Sequence, residues 1–205
     1  MWLNLTVIFI GYLLGSIPSA YILGKRKRSV DIRDIGSRNM GAANTFREIG
    51  AREGVAVWAI DVAKGAIPIL VAQALGLPQS WVLATGLAAL LGHNFPVYIG
   101  FRGGKGAATT MGILLVLAPE AMAIAFALLA IPYYFFRRIF IAMCIVGPLL
   151  PALIWQFEHS LVLVVYSLVL IVVMGIRNIP NPKEIPALLA KVKNKYITDR
   201  YDEDN

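Results

Sequence analysis

Cysteine and charged residues are both scarce in this chain of 205 residues, and each scarcity excludes a class of protein. A single cysteine, Cys144, excludes a disulfide framework and a thiolate metal cluster. Only 15% of the residues are charged, against about 25% in an ordinary soluble domain. The hydrophobic share is 58%, which is more apolar surface than a soluble domain of this length can bury. Disorder and a water-soluble fold are therefore excluded, and the excess apolar surface must face lipid.

Long apolar runs take up most of the sequence. Six are plain when the chain is divided at its charges and turn residues, over 2–24, 54–76, 80–99, 107–136, 139–157 and 160–176. The fourth is too long for one span of about 20 residues, and Ala118-Pro119-Glu120 interrupts it, so we divide it into 107–118 and 121–136. The sequence therefore predicts an all-α membrane protein, a bundle of about seven transmembrane helices, of which 107–118 is short for a full span.

Basic residues are missing from every second loop. If the loops alternate across the membrane, 18 of the 19 Lys and Arg residues fall on one side, and the last, Lys64, lies inside a span. The opposite loops, at 77–80, 120 and 158–159, contain none. Lys and Arg accumulate in cytoplasmic loops, so the pattern predicts an outside N-terminus and a cytoplasmic C-terminus in the cell inner membrane. The net charge of +7 then reflects topology and not a nucleic-acid partner.

Two regions differ in their apolar pattern. The sequence predicts one membrane domain over 1–182, since no internal repeat is visible, and a cytoplasmic tail over 183–205. In the tail, apolar residues recur at helical spacing from Ile185 to Tyr196, with lysines beside them. This pattern is typical of an amphipathic helix that lies on an anionic membrane surface.

The first basic loop, over 36–47 (GSRNMGAANTFR), combines glycines with short polar and guanidinium side chains. Glycines let backbone N–H groups approach an anion, and Ser, Asn and Arg supply further donors. The loop therefore suits a phosphate group. A glycine-rich turn that caps the next helix, with Ser37 or Asn39 as the cap, explains the same composition equally well.

The second loop contains Gly103-Gly104-Lys105-Gly106, followed by two threonines and an apolar helix. Free backbone amides, a lysine and a helix N-terminus can all point at one phosphate. The Walker A spacing is absent and no strand precedes the loop, which argues against nucleotide hydrolysis. A flexible loop with an ordinary cytoplasmic lysine is the alternative.

The third segment begins with Arg177-Asn178-Ile179-Pro180, at the end of the last span. Taken alone it is a helix stop. Taken with the other two, it means that three loops on one membrane face each offer donors to an anion. That coincidence favours a phosphate-bearing substrate.

Three ionisable residues lie at membrane depth. Asp61 and Lys64 are three residues apart on the second span, so they can pair, either as a functional site or as an anchor for the loop above them. His93 precedes Asn94-Phe95-Pro96, where the helix should end, so its ring can reach the interface as a general base or remain a hydrogen-bonded helix-end residue. Near Asp31 and Asp34 no metal-ligand spacing is found, and the sequence predicts neither a metal nor a cofactor.

The motifs that carry this chemistry occur in a familiar order. They are Gly36-Ser37-x-Asn39-x-Gly41-Ala42-x-Asn44, Asp61-x-x-Lys64-Gly65, Gly92-His93-x-Phe95-Pro96 and Gly103-Gly104-Lys105-Gly106-x-Ala108-Thr109. Over most of its length the chain resembles the bacterial PlsY family of membrane acyl-phosphate:glycerol-3-phosphate acyltransferases. The third segment differs from the family pattern, because 180–183 (PNPK) separates Ile179 from Glu184.

The resemblance implies transfer of a fatty acyl group from acyl phosphate to the 1-hydroxyl of glycerol 3-phosphate, giving lysophosphatidic acid and phosphate. This would be the first step of bacterial phospholipid biosynthesis, among membrane lipids and beside the enzyme that supplies acyl phosphate. The resemblance implies a catalytic role for four residues, Ser37, Asn39, His93 and Lys105. It implies a substrate-binding role for eight others, namely Gly41, Asn44, Arg47, Gly103, Gly104, Thr109, Arg177 and Asn178.

Acyl phosphate is already activated, so the predicted task of the protein is positioning and charge stabilisation. Ser37, Asn39, Lys105 and Thr109 would hold the acyl-phosphate group, and Arg47, Arg177 and Asn178 the glycerol phosphate. The hydroxyl proton goes to the leaving phosphate or to His93, and we prefer the phosphate. Two alternatives are a transporter of an organic phosphate and a Ser/Lys membrane hydrolase. The motifs of this chain lie on one face and not near the bilayer midplane, and no inverted repeat is visible, which argues against the transporter.

Overall fold

The computed structural model describes residues 1–137 and 139–179, apart from the side chain of Phe140. Within these residues the chain is all-α, as predicted, with ten α-helices and no strand. The helices are α1 (Trp2–Gly15), α2 (Ser19–Arg28), α3 (Ala42–Glu48), α4 (Ala51–Ala74), α5 (Gln79–Asn94), α6 (Ala107–Leu117), α7 (Pro119–Phe136), α8 (Ile139–Val146), α9 (Leu150–Glu158) and α10 (Leu161–Asn178). The predicted tail over 183–205 lies outside the described residues.

Six helical segments among the described residues are long and apolar enough to cross a membrane. They are Trp2–Arg28, Ala51–Ala74, Gln79–Ile99, Pro119–Phe136, Ile141–Glu158 and Leu161–Asn178. The apolar helix α6 has only 11 residues, as expected for the short predicted segment 107–118. The predicted division of the longest apolar run is confirmed, because α6 ends at Leu117 and α7 begins at Pro119. Exposed side chains such as Phe9 and Leu161 give the bundle the lipid-facing surface that the composition requires.

Prolines interrupt three of the predicted spans. The first divides between α1 and α2, where Pro18 has no N–H to continue the helix. The third ends as an α-helix at Asn94, just before Pro96, and only a 3₁₀ turn, Val97–Ile99, continues it. The sixth, over 139–157, divides at the 3₁₀ turn Gly147–Leu149, which contains Pro148. The end of the third helix before Pro96 is confirmed as predicted, whereas the apolar pattern does not predict the breaks at Pro18 and Pro148.

Glycines bring two pairs of helices into close contact. Between α1 and α5, a Cβ added at Gly15 or at Gly92 would overlap main-chain atoms of the facing helix. Between α4 and α6, the same holds for Gly65 and Gly112. Small residues allow helix backbones to approach in this way inside a membrane. These two pairs of helices are therefore held at backbone-to-backbone distance, which leaves little freedom to the polar residues that they carry.

Apolar anchors fold the first loop onto the bundle. Ile32 and Met40 are buried, although they lie in the segment between α2 and α3. They form one cluster with Ala20 of α2, Ile49 after α3 and Val57 of α4. Burial of a large aliphatic side chain contributes about 1.5–3 kcal/mol, so these anchors give the loop a defined shape.

Candidate functional site

Asn44 organises the first loop. Its amide is buried on α3, where Oδ1 accepts a hydrogen bond from the Ser37 backbone N–H at 2.9 Å. Its Nδ2 donates to the carbonyls of Ile32 and Ile35, both at 3.1 Å. Both amide protons and the amide oxygen are therefore used by the loop itself. Asn44 fixes the position of Ser37 and has little left to offer a substrate directly.

The turn that presents Ser37 requires left-handed backbone on both sides of it. Gly36 and Arg38 each have φ of 57°. A Cβ at Gly36 would also overlap the side chains of Asn44 and Glu48, so only glycine fits there. The result is a sharp turn with the Ser37 side chain exposed at its tip.

The second loop folds back onto the end of α5. The N–H groups of Gly103 and Gly104 donate to the carbonyls of Asn94 and His93, at 3.2 and 3.1 Å. A Cβ at Gly104 would overlap the His93 ring on one side and the Met40 carbonyl on the other. Since Met40 belongs to the first loop, Gly104 is the point at which the two glycine-rich loops touch.

Arg177 brings the third segment to the same point. Its guanidinium donates to the carbonyl of Gly103 at 3.3 Å and, from two nitrogens, to that of Gly104 at 3.4 Å. It also lies 4.9 Å from the centre of the Phe95 ring. The Phe95 carbonyl accepts a hydrogen bond from the Tyr12 hydroxyl at 2.8 Å, which ties this group to α1. The three segments predicted to meet thus converge on Gly103 and Gly104.

A second link joins the first two loops at their edge. Arg33 binds the Asp31 carboxylate through Nε and Nη2, the latter at 2.7 Å, and also donates to the Ile99 carbonyl at 3.0 Å. Its guanidinium lies 5.1 Å from the centre of the Tyr21 ring. The hydrogen bonds from Arg33 hold the pKa of Asp31 below its ordinary value, against the opposing effect of burial. Arg33 therefore connects the first loop to the second by charge-assisted bonds.

Beneath the loops lies a buried ionic network centred on Asp61. Its Oδ1 accepts from the Ser19 hydroxyl at 2.5 Å and from the Lys64 ammonium at 2.9 Å. Lys64 also donates to the Ile17 carbonyl at 2.8 Å, in the break between α1 and α2. Asp61 and Lys64 are 1% and 4% exposed, and the pair predicted from their spacing is confirmed. Through Lys64 the pair anchors the break between α1 and α2, which favours a structural role for the pair over a functional one.

His93 lies between this network and the second loop. Its Nδ1 is 3.9 Å from the Asp61 carboxylate, and the other edge of its ring faces Gly104. The ring is only 3% exposed. The second loop therefore covers the ring at the end of α5.

Several buried polar groups around the second loop find no hydrogen-bond partner within the described part of the chain. They are Nδ1 of His93, both amide atoms of Asn94, and the hydroxyls of Thr109 and Thr110. They flank 103–106, at the end of α5 and the start of α6. Buried polar groups in native proteins are nearly always satisfied. Their concentration here marks the start of α6 as a place where a polar ligand or water can bind.

Two of the predicted cationic residues remain available to an anion. Among the described residues, Lys105 and Arg47 form no ion pair with a carboxylate. Lys105 is half-buried in the second loop, whereas Arg47 is exposed on α3. No group of three or more His, Cys, Asp or Glu side chains comes together in the ranges that the structure describes. The available chemistry is therefore that of fixed donors and cations.

Comparison with known proteins assigns the chain to a family. The glycerol-3-phosphate acyltransferase family model matches residues 5–187. The chain belongs to this family. A glycerol-3-phosphate acyltransferase of Dehalococcoides mccartyi is 42% identical over 83% of this chain and 85% of its own length. Another, from Fusobacterium nucleatum, is 36% identical over 92% of this chain and 96% of its own.

The fold agrees with the family assignment. A crystal structure of PlsY, an integral membrane glycerol 3-phosphate acyltransferase, in its glycerol 3-phosphate form has a TM-score of 0.80 to this chain. The two are 31% identical, and the match covers 92% of each chain. The lysophosphatidic acid form of PlsY has a TM-score of 0.78. This chain is accordingly a multi-pass membrane protein and an acyltransferase.

The structure brings together many of the family residues predicted from sequence, but not all of them. Gly103 and Gly104 contact both His93 and Arg177. Asn178 instead donates to the Met174 carbonyl of its own helix at 2.8 Å. The remaining predicted residues lie on or beside the two loops, namely Ser37, Asn39, Gly41, Asn44, Arg47, Lys105 and Thr109.

Four residues to which the sequence analysis assigned no role help to build the site. They are Ser19 on Asp61, Asn94 beside the second loop, Arg33 between the loops and Phe95 under Arg177. Asn94 carried a usable signal, because a second polar residue next to His93 is unusual at the end of an apolar run. The other three act through partners distant in sequence, which spacing alone does not reveal.

Proposed function

We propose that this chain transfers a fatty acyl group from acyl phosphate to the 1-hydroxyl of glycerol 3-phosphate. The hydroxyl oxygen attacks the acyl carbonyl carbon, and a new ester bond forms as the bond to the phosphate oxygen breaks. The products are lysophosphatidic acid and inorganic phosphate. The donor is a mixed anhydride and already activated, so a covalent acyl-enzyme is unnecessary.

The observation that carries this proposal is the convergence of three donor-rich segments on Gly103 and Gly104. Met40 of the first loop, the end of α5 and Arg177 of α10 all contact these two glycines. The unpartnered hydroxyls of Thr109 and Thr110 and the amide of Asn94 lie at the same place. A fixed set of donors at a helix start suits phosphate groups better than any uncharged substrate.

The donor phosphate is assigned to the two loops. We propose that Ser37, Asn39 and Lys105 bind it and stabilise the charge that develops on it as the ester forms. Thr109 would add a hydroxyl from the first turn of α6. Gly41, Gly103 and Gly104 would admit the anion close to the backbone. Asn44 supports this group indirectly, since its amide holds Ser37 in place.

The acceptor phosphate is assigned to the guanidinium groups at the edge of the site. Arg47 is exposed beside the first loop, and Arg177 lies on the second. Arg177 uses Nε and Nη2 for the glycine carbonyls, so its Nη1 is the nitrogen that we assign to the acceptor phosphate. The Asn178 side-chain oxygen is a further acceptor for a glycerol hydroxyl, while its nitrogen is bound to Met174.

The leaving phosphate is the proposed proton acceptor. The attacking hydroxyl loses its proton as the phosphate gains charge, and a phosphate oxygen next to the reacting carbon can take it directly. Burial of His93 between Asp61 and Gly104 supports this assignment over a general-base role, because that side chain lacks open access to a substrate hydroxyl. His93 would then support the second loop.

The basic loops also fix where the reaction takes place. Their predicted orientation puts the site at the cytoplasmic face of the inner membrane, where a water-soluble glycerol phosphate and a lipid-tailed donor can meet. An enzyme that makes acyl phosphate would have to deliver it to the same surface. In this position the chain would perform the first acylation of phospholipid biosynthesis.

The function is tested with purified protein in lipid, acyl phosphate and glycerol 3-phosphate. We expect phosphate release only when glycerol 3-phosphate is present. Release without the acceptor would indicate a hydrolase. No release in either case would favour a transporter of an organic phosphate. Either of these results would contradict the proposal.

A further inference from the structure

The Phe95 ring forms a fixed platform just after the end of α5. The Phe95 backbone N–H donates to the Leu91 carbonyl at 2.8 Å, and its carbonyl accepts from the Tyr12 hydroxyl of α1, also at 2.8 Å. Pro96 follows, and a proline restricts the backbone of the residue before it. The ring is therefore attached to a main chain that α5, α1 and the next residue all hold in place.

The Arg177 guanidinium lies over this ring, 4.9 Å from its centre. Its hydrogen bonds to the Gly103 and Gly104 carbonyls are 3.3–3.4 Å long, whereas an ordinary N–H···O bond measures about 2.7–3.2 Å. Hydrogen bonds of this length hold a long, flexible side chain only weakly. The attraction between a guanidinium and an aromatic face grows as the pair loses water, so the ring adds substantially to the force that positions Arg177.

The ring and the glycine carbonyls belong to one structural unit. The N–H groups of Gly103 and Gly104 donate to the carbonyls of the last two residues of α5, directly before Phe95. Arg177 comes from α10, far along the chain, and meets both surfaces of this unit at once. The end of α5 and the second loop together therefore define where the guanidinium lies.

The charge of Arg177 remains available to a ligand. In the ranges that the structure describes, Arg177 forms no ion pair with a carboxylate. Its side chain is half-buried and the Phe95 ring is 39% exposed, so the pair can be reached from outside the bundle. A positioned cation without a counter-ion suits a phosphate group, with which guanidinium forms strong charge-assisted hydrogen bonds.

We propose that Phe95 is a positioning residue for the acyl transfer, whose ring holds the Arg177 guanidinium where it binds the phosphate of glycerol 3-phosphate. The proposal rests on the proposed function, because it requires Arg177 to bind the acceptor. Phe95 acts through Arg177 and not by contact with a substrate. Loss of the ring should therefore weaken binding of the acceptor and leave the donor and the chemical step unchanged.

The test measures kcat and the KM for each substrate with wild-type and variant proteins in lipid. Phe95→Leu keeps an apolar side chain but removes the aromatic face, whereas Phe95→Tyr keeps that face. Phe101→Leu is the matched control. Phe101 is an exposed aromatic residue in the same connection between α5 and α6, and no cationic group from the described part of the chain lies over its ring.

We expect Phe95→Leu to raise the KM for glycerol 3-phosphate by about 5–30-fold, with kcat and the KM for acyl phosphate within about twofold of wild type. A change confined to KM indicates lost binding that the ground state and the transition state share. Phe95→Tyr should keep the KM for glycerol 3-phosphate within about twofold of wild type, and Phe101→Leu should do the same.

A double-mutant cycle with Arg177→Ala shows whether the effect passes through the guanidinium. Arg177→Ala should raise the same KM, and Phe95→Leu should change it by less than about twofold once Arg177 is absent. A general disturbance of the loop by leucine would instead raise KM equally in both backgrounds. The cycle therefore separates positioning of Arg177 from support of the loop.

Several outcomes would overturn the proposal while the proposed function stands. They are an unchanged KM in Phe95→Leu, a fall in kcat in place of a rise in KM, a KM in Phe95→Tyr as high as in Phe95→Leu, and independent effects in the cycle. An unchanged KM in Arg177→Ala would remove Arg177 from the acceptor site, and this inference with it. Failure of the wild-type protein to form lysophosphatidic acid would remove the proposed function as well.

Discussion

Helical glycines serve opposite purposes in the two halves of the described structure. In α1–α6, glycines such as Gly15, Gly65 and Gly112 lie where any Cβ would overlap the main chain of a facing helix. In the later half, Gly175 in α10 and Gly147 in the turn before α9 have open space around them. The glycines of the first half therefore hold facing helices in backbone contact, whereas these two glycines of the second half make no such contact.

This difference matches where the proposed phosphate donors lie. A phosphate group has one geometry, so the donors that bind it must be fixed within a fraction of an ångström. The two glycine-rich loops, which carry most of the residues assigned to phosphate, belong to the first half. The comparison predicts that substitutions in the first half lower stability and rate, and that added bulk at the open glycines of the second half is tolerated.

The largest effect is expected from the buried ion pair of the first half. Asp61→Ala leaves the Lys64 ammonium buried without its counter-ion, which should lower the free energy of unfolding by about 3–5 kcal/mol. Thermal unfolding in detergent measures the loss. The double variant Asp61→Ala/Lys64→Met removes both charges and should recover most of it. Equal stability of the single and double variants would mean that the pair does not hold this half together.

Lys105→Ala removes the lysine of the second loop without disturbing a buried contact. We expect about a 10²–10³-fold loss of kcat, as found when a charge-stabilising donor is removed. The effect should be the same for palmitoyl and octanoyl phosphate, because Lys105 acts on the phosphate and not on the chain. Full activity, or a loss confined to one donor, would remove Lys105 from the phosphate site.

Gly112→Leu and Gly175→Leu compare the two halves with one chemical change. A leucine at 112 would force α6 away from α4, at a cost of about 1–3 kcal/mol in unfolding free energy, and would displace Thr109 and Thr110. A leucine at 175 extends into open space and should be nearly neutral. Thermal unfolding and activity of the two variants, measured side by side, check this contrast. Similar losses in both would erase the distinction.

Asp31→Asn tests the link between the loops through its pH dependence. The pKa of Asp31 in the folded protein lies below that of the unfolded chain, so its stabilising effect is present above about pH 4 and disappears as the pH falls through the folded-state pKa. We expect the variant to be about 0.2–1 kcal/mol less stable at neutral pH. Once the pH lies below the folded-state pKa of Asp31, the two proteins should converge in stability. A constant difference across this range would exclude the ionic link.

The smallest effect is expected at His93. His93→Gln keeps a polar side chain of similar length between Asp61 and Gly104, so turnover and the pH–rate profile should stay near those of the wild type. A general base contributes about 10²–10⁴-fold, which is easily measured. A loss of that size, with one limb of the pH–rate profile removed, would make His93 the proton acceptor in place of the phosphate.

The sequence was sufficient to predict the features that depend on local pattern. The apolar runs, the break at Pro119 and the Asp61–Lys64 pair all follow from spacing along one helix. The position of His93 did not, since its cover comes from Gly104, eleven residues later and beyond a turn. Nor did the role of Asn44, whose amide binds Ile32, Ile35 and Ser37 and is not free for a ligand. These residues act through tertiary contacts, which no single-chain periodicity encodes.

Direct transfer between the two substrates is tested most sharply by counting both products over time. The protein in lipid is mixed with acyl phosphate labelled in the acyl group, and lysophosphatidic acid and phosphate are measured after rapid quenching, with and without glycerol 3-phosphate. Direct transfer predicts one lysophosphatidic acid for each phosphate released at every time point, and neither product without the acceptor. A burst of phosphate in the absence of glycerol 3-phosphate, or phosphate in excess of lysophosphatidic acid, would contradict it.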